Sequence, residues 1–531
     1  MNRRTVVLPA LAGLLAPVLA ACGSDASGGG DGDAIVVGTT DHFVANKDTP
    51  APFDPAAAYD VAAWNVMRNT FQTLVRLPRT GTEPEMDAAR KCGFTDAQNE
   101  QFRCTLREDL AFSNGHEVDA KDVEFSIKRV MGIKHPGGPS SLFANVDQVE
   151  AAGKREIVFH LKSPDATFPY KLSTPAAAIV DSEVYPKNRL AKGFKVTGSG
   201  PYALDEFRNG SDKAVLTKNS HYEGGLEIRN DKIEMRFFDT PDGMEKALRS
   251  KKIDVMGRTI SPDQVQKLDL ATDKGIKLVE QPGQEIRYIA FNTKHPVAGK
   301  QAVRQAMAEL VDRKKIVTDV YSGSAEPLYS LVPGGLPGHR NSFFSRYGEP
   351  DTASAKSTLA KAGIDTPVKL TLTYTKDHYG EATAKEFAAL QKQLNDSGLF
   401  EVKTHGVMWD KYRPAATSGK YAAYGYGWYP DFPDADNFIA PFFQDENFLG
   451  SPYRSKEIDK IVPQTRRQSE RARTGTAFGR AQDIVARDVP VLPLWQGKQY
   501  IAARDDITGV EWALNSASVL QFWELGRGAS D

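Results

Sequence analysis

The densest collection of side chains able to recognise another molecule lies between residues 421 and 443. Nine aromatic rings, from Tyr421 through Trp428, Tyr429 and Phe432 to Phe443, crowd into 23 residues, with Asp431 among them. Rings at this density either fill a core or stack on a ligand, and a carboxylate beside them can neutralise a cation enclosed away from water. Ala422, Tyr424, Tyr426 and Trp428 alternate as along a strand, which Pro430 must end. About half of these rings are expected to be core. The strand end from Trp428 and Tyr429 to Asp431 is the candidate ligand contact. Trp409 and Tyr412, slightly upstream, suit stacking on a ligand or packing in a core equally well.

Motifs for bond-breaking chemistry are missing. The nine histidines lie at 42, 116, 135, 160, 221, 295, 339, 378 and 405, never closer than 19 residues, so no metal-binding spacing exists. There is no Gly-x-Ser-x-Gly elbow, and Gly299-Lys300-Gln301 lacks a phosphate-loop pattern. Neither catalysis nor a cofactor is expected. A secreted hydrolase whose triad assembles from distant positions stays as the competing class, to be separated by turnover of esters or peptides.

The N-terminus carries a different kind of chemistry. Arg3 and Arg4 precede an apolar run from Val6 to Leu19, which is too short to span a bilayer, for which roughly 20 residues are needed. Residues 1–21 are therefore expected to be a signal peptide. Leu19-Ala20-Ala21-Cys22-Gly23 resembles the lipobox of bacterial lipoproteins, in which the chain is cut before a lipidated cysteine. Residues 22–33, rich in Gly, Ser and Asp, read as a flexible tether between Cys22 and a globular body. The expected location is the outer face of the cytoplasmic membrane, reached through the lipid. Arg3-Arg4 fits twin-arginine export and ordinary export alike. The remaining cysteines, Cys92 and Cys104, flank a polar turn. A disulfide across a hairpin is expected for an exported chain, with two buried thiols as the alternative.

Something must position these groups, and 531 residues suffice for two or three packed domains. With 67 basic against 68 acidic residues there is no field to hold nucleic acid. Helices are expected from Asp60, with Trp64, Met67, Phe71 and Leu74 on one face, from Asp119, and over Ala302–Tyr321. Val368–Tyr374, Ala382–Leu394 and Phe400–Lys403 read as a strand, a helix and a strand, a βαβ unit that makes the fold α/β with some parallel pairing.

Several segments taken in order resemble one family. Thr105-Leu106-Arg107 to Phe112-Ser113-Asn114-Gly115 runs into Ala120-Lys121-Asp122-Val123; Gly198-Ser199-Gly200-Pro201-Tyr202 follows, then Lys218-Asn219-Ser220-His221-Tyr222 and Ala247-Leu248 to Ile253-Asp254. Phe291-Asn292-Thr293, Val303-Arg304-Gln305-Ala306 to Asp312-Arg313, and Trp428 to Asp434 complete the set. Their order and spacing, from about residue 34 to 525, are similar to those of the family 5 extracellular solute-binding proteins of oligopeptide, dipeptide and nickel ABC importers.

The resemblance implies a two-lobe periplasmic-binding-protein-like α/β fold with a hinge. The first lobe would take residues 34–284, with an extra subdomain inserted at about 60–185, and would be completed by 499–531; the second would take 285–498. A ligand would be enclosed in the interlobe cleft and delivered to ABC permease subunits by a monomeric protein. In peptide-binding members the aspartate aligned with Asp431 pairs with the ligand's ammonium. The exit Asp41-His42-Phe43 and the Phe53-Asp54-Pro55 turn occupy cleft-lining places, which adds His42 and Phe43 to the expected ligand contacts. Dipeptide binders hold the ligand carboxylate with an arginine in the segment equivalent to Tyr374–Tyr379, where this chain offers Lys376 and His378. An oligopeptide or modified peptide is therefore the expected ligand, with an oligosaccharide or a nickel chelate as alternatives. A surface sensor using the same cleft would read identically.

Overall fold

The computed structural model describes residues 34–528, apart from 48, 258–259, 270–274, 445–446, 448 and 516. The expected signal peptide, the tether and Cys22 lie outside the described residues.

One mixed sheet of eleven strands runs through the protein. On one side Ile35–Thr39 pairs in parallel with Lys232–Phe237 and with Val255–Gly257. On the other side Val368–Thr375 pairs in parallel with Phe400–Val407 and Ala423–Trp428, with the helix Ala382–Asp396 as the crossover of a βαβ unit. Two long antiparallel strands, Ile276–Phe291 and Val491–Arg504, belong to both sides. Their register slips between Pro282 and Ile286. At that slip the backbones pass so closely that a Cβ on Gly283 would lie 2.3 Å from the carbonyl oxygen of Gly497, which only glycine tolerates.

The buried apolar side chains separate on either side of this slip. One cluster runs from Ile35 to Val255 and takes in Ile501 to Leu525 from the C-terminus. Another runs from Ile286 to Trp495. Each helix or sheet face thus buries its apolar stripe against its own side of the shared sheet.

Within the first cluster a four-stranded antiparallel sheet, Ala89–Phe94, Gln101–Leu106, Glu156–Leu161 and Val146–Ala151, supports the helix Ala120–Ile133. Asp119 caps that helix and exchanges hydrogen bonds with Asp122 in a capping box. Cys92 and Cys104 stand directly opposite on adjacent strands and are joined by a disulfide.

Two expected helices are shorter than the apolar pattern suggests. The helix capped by Asp60 stops at Thr70, so Phe71 and Leu74 are buried beyond its end. The Gly198–Gly200 turn packs onto that end, Gly200 N–H donating to the Thr70 carbonyl at 3.1 Å. The stretch 302–321 is two helices, Gln301–Leu310 and Arg313–Tyr321. Asp312 breaks the run because its side chain caps the second helix at Lys315 N–H, while its own N–H is held by Gln393.

Candidate functional site

The strand Ala423–Trp428 lies between Ile276–Phe291 and Val368–Thr375, and its C-terminal end delivers Tyr429, Pro430 and Asp431 to the junction between the two clusters. The alternation Tyr424-Gly425-Tyr426-Gly427 has a steric cause. A Cβ on Gly425 would lie 2.4 Å from Phe387 Cζ, and one on Gly427 would lie 2.1 Å from Arg287 Nη1.

Asp431 is only 6% exposed. Its carboxylate accepts hydrogen bonds from the Tyr59 hydroxyl and from Asn437 Nδ2, each at 3.0 Å, and its own N–H donates to Asn437 Oδ1. Tyr59 comes from the first cluster, so the carboxylate is sealed from both sides. Three acids along the same junction have cations: Asp434 pairs with Arg471, Asp436 with Arg466, and Asp165 with Lys171, whereas the buried Glu386 accepts from Tyr321 and Trp495 only. Asp431 has only neutral donors. Burial pushes its carboxyl up to about 6, against the relief given by Asn437, Tyr59 and the more distant Lys171. Burial likewise raises the Tyr59 phenol, and the Asp431 charge raises it further. The junction is closed by other contacts too. Tyr170 packs on Phe432, Ala166 N–H donates to the Arg466 carbonyl, and Asn99 bonds Arg467 and Ser469.

A second centre stands beside it. Arg287 is buried with its guanidinium 4.1 Å from the Tyr379 ring centroid, 5.2 Å from Trp495 and 5.7 Å from Tyr429, and it forms an ion pair with Glu285. Burial opposes its charge, but Glu285 outweighs it and the group stays ionised. His378 lies flat on Trp409, ring centroids 3.8 Å apart. His378 is exposed overall, yet desolvation of its ring, then the Arg287 charge, push it down to about 4. That direction disfavours the charged imidazole that a ligand carboxylate would need. Lys376 is exposed. The charge of Arg413 acts on Tyr59 as well as on His378 and Tyr379, which places it along the same seam.

The sequence candidates divide accordingly. Asp431, Tyr429 and Trp409 gather here, and Trp428 is buried against Phe442 just behind them. Phe43 does not reach the seam: its ring is locked among Phe53, Phe207 and Phe237 in the first cluster. Asp54 is likewise taken up by a buried, two-pronged pairing with Arg129. His42 is exposed beside the Phe238 carbonyl and Asp239. Tyr59, Asn437 and Arg287 were not foreseen. The one available signal was a lone arginine inside the apolar run Ile286–Phe291, facing Gly427 in register.

Two cores on a shared sheet, closed over a buried acid that lacks a cation, define a two-lobe solute-capturing protein. Residues 83–450 match the family described as bacterial extracellular solute-binding proteins, family 5, and the chain belongs to that family. Its proteins bind substrates and are not enzymes, and the same holds for this one. The probable D,D-dipeptide-binding periplasmic protein DdpA of Escherichia coli is 25% identical over 475 residues, covering 87% of this chain and 89% of that protein. The oligopeptide-binding protein OppA of Bacillus subtilis is 24% identical over 507 residues, covering 90% of this chain and 91% of that one. Among solved structures, the periplasmic binding protein DppA of Helicobacter pylori in complex with the peptide STSA superimposes with a TM-score of 0.78. It is 22% identical, covering 93% of this chain and 98% of that chain. No helix among the described residues is long and apolar enough to cross a membrane.

Proposed function

We propose that this protein is a monomeric lipoprotein, anchored through Cys22 and the 22–33 tether, that captures an oligopeptide or modified peptide and delivers it to an ABC permease. The lobes are assigned to 34–284 with 499–531, and to 285–498, the subdomain at about 60–185 riding on the first. The ligand's ammonium sits against Asp431, between Tyr59 and Asn437. Its carboxylate is placed toward Arg413, whose charge acts on Tyr59, His378 and Tyr379 along the seam.

The observation that carries this reading is the Asp431 carboxylate, 6% exposed and bonded only to neutral donors. A buried carboxylate without a cation is costly, and an ammonium in that position offsets the cost. The peptide-binding names of the relatives agree with an amine-bearing ligand. Calorimetric titration of tri- to pentapeptides tests it against the same peptides N-acetylated. Free peptides should bind and acetylated ones should not; equal binding of the two sets rules out the assignment.

A further inference from the structure

A second uncompensated charge, of opposite sign, lies wholly within the first cluster. Arg68, on the last turn of the helix Val61–Thr70, reaches into a pocket formed with Ser173, Arg76, Gln521 and Trp523. Its Nη1 donates to the Ser173 carbonyl at 2.8 Å. Its Nε and Nη2 are buried and have no partner, and among the described residues no carboxylate pairs with it. Three other residues that line the same pocket also carry a buried donor without a partner: Arg76 Nη1, Gln521 Nε2 and Trp523 Nε1. Gln521 is 2% exposed and Trp523 is 7% exposed. Arg76 spends its other nitrogens on Glu85. The acid at the pocket wall, Asp87, accepts from Gln72 Nε2 and Thr73 N–H, and the charges acting on it are those of Arg76 and Arg107 rather than Arg68.

We propose that this pocket is a binding site for a small monoanion of the halide or formate class. The unpartnered atoms of Arg68, Arg76, Gln521 and Trp523 are all N–H donors, which suits an anion better than a cation or a neutral acceptor-rich group. Water can satisfy N–H groups but cannot neutralise a guanidinium, and a buried unpaired charge is the costlier defect. The pocket has room for about two water-sized groups, which admits bromide, chloride or formate and excludes a peptide. Burial by itself draws the Arg68 guanidinium down to about 10, the direction expected where a counter-ion position stands open. The site binds together the helix Val61–Thr70, the Ser173 loop and the C-terminal segment around Gln521–Trp523, so the anion acts on the stability of the first lobe rather than on the ligand cleft.

The test is crystallisation of the purified protein with sodium bromide, followed by anomalous diffraction at the bromine edge. A peak within hydrogen-bond distance of Arg68 and Trp523 Nε1 is expected. In parallel, the melting temperature is followed while bromide replaces gluconate at constant ionic strength. It should rise by about 1–2 °C in the native protein, as for any ligand that binds only the folded state. Gln521→Glu supplies the missing negative charge internally and should abolish the rise while keeping the fold. Arg68→Met should abolish it too. No anomalous peak, or an equal rise in native protein and Gln521→Glu, overturns the proposal. If neither variant folds, the bromide crystal of the native protein decides alone.

Discussion

Replacing Asp431 by Asn separates the charge of this residue from its shape, because an amide oxygen can still accept from Tyr59 and Asn437. The carboxyl stands at about 6 in the folded protein against 3.8 for an unperturbed group, a difference worth about 3 kcal/mol. A raised carboxyl binds its proton more tightly when folded, so the empty protein loses stability as pH climbs from 3.8 to about 6 and stays at the lower level above that. Asp431→Asn should therefore melt higher than the native protein at pH 8 and no higher at pH 4. Ligand binding should move the other way. The variant should lose about 3–5 kcal/mol of affinity for a free-amine peptide, which is two to three orders of magnitude or more. In the native protein affinity should be flat between pH 6 and the peptide amine's own titration near about 8, fall up to about tenfold per pH unit below pH 6, and release a proton on binding at pH 5. Titration calorimetry in two buffers of different ionisation enthalpy measures affinity and proton release together. An Asp431→Asn affinity within about threefold of native, or no proton release at pH 5, would refute the reasoning.

Arg413→Ala should erase the preference for a peptide acid over the same peptide as its C-terminal amide, read by competition binding; a preserved preference would move the carboxylate contact elsewhere. Gly427→Ala should cost about 1–3 kcal/mol by forcing Arg287 off its three rings, since the new Cβ would stand 2.1 Å from Nη1. Denaturant unfolding measures that loss, and a silent substitution would mean the guanidinium is free to move. Replacing both Cys92 and Cys104 by Ser opens a loop of sequence separation 12 and should lower stability by about 3 kcal/mol, matched by adding a reductant to the native protein in calorimetry.

What could be read in the sequence was whatever is encoded locally. Asp60 and the Asp119–Asp122 pair announce their helices because a cap acts within three residues. The end of the helix at Thr70 was invisible, because the Gly198–Gly200 turn that packs against it arrives from far along the chain. Asp431 stood out as an acid among rings, but its hydroxyl partner Tyr59 lies 372 residues away and carries no mark of its own. Phe43 was misjudged for a related reason. A phenylalanine after a strand looks the same whether it turns toward a cleft or into a core, and here three further rings decide the matter. The uncompensated state of Asp431 was likewise beyond a linear reading. Asp434 and Asp436, three and five positions on, are also buried and are each matched by an arginine more than 25 residues later.

The apolar cluster that contains Ile35 also contains Ile501, Phe522 and Leu525. The part of the chain made first therefore cannot complete its interior until almost the last residue has been made. The cluster from Ile286 to Trp495 draws its buried apolar members from its own span alone. Until the C-terminal segment is in place, roughly half the protein must stay partly assembled with apolar surface exposed, which is the state in which chaperones are needed most. A truncation of a few dozen C-terminal residues should thus unmake the beginning of the molecule rather than its middle.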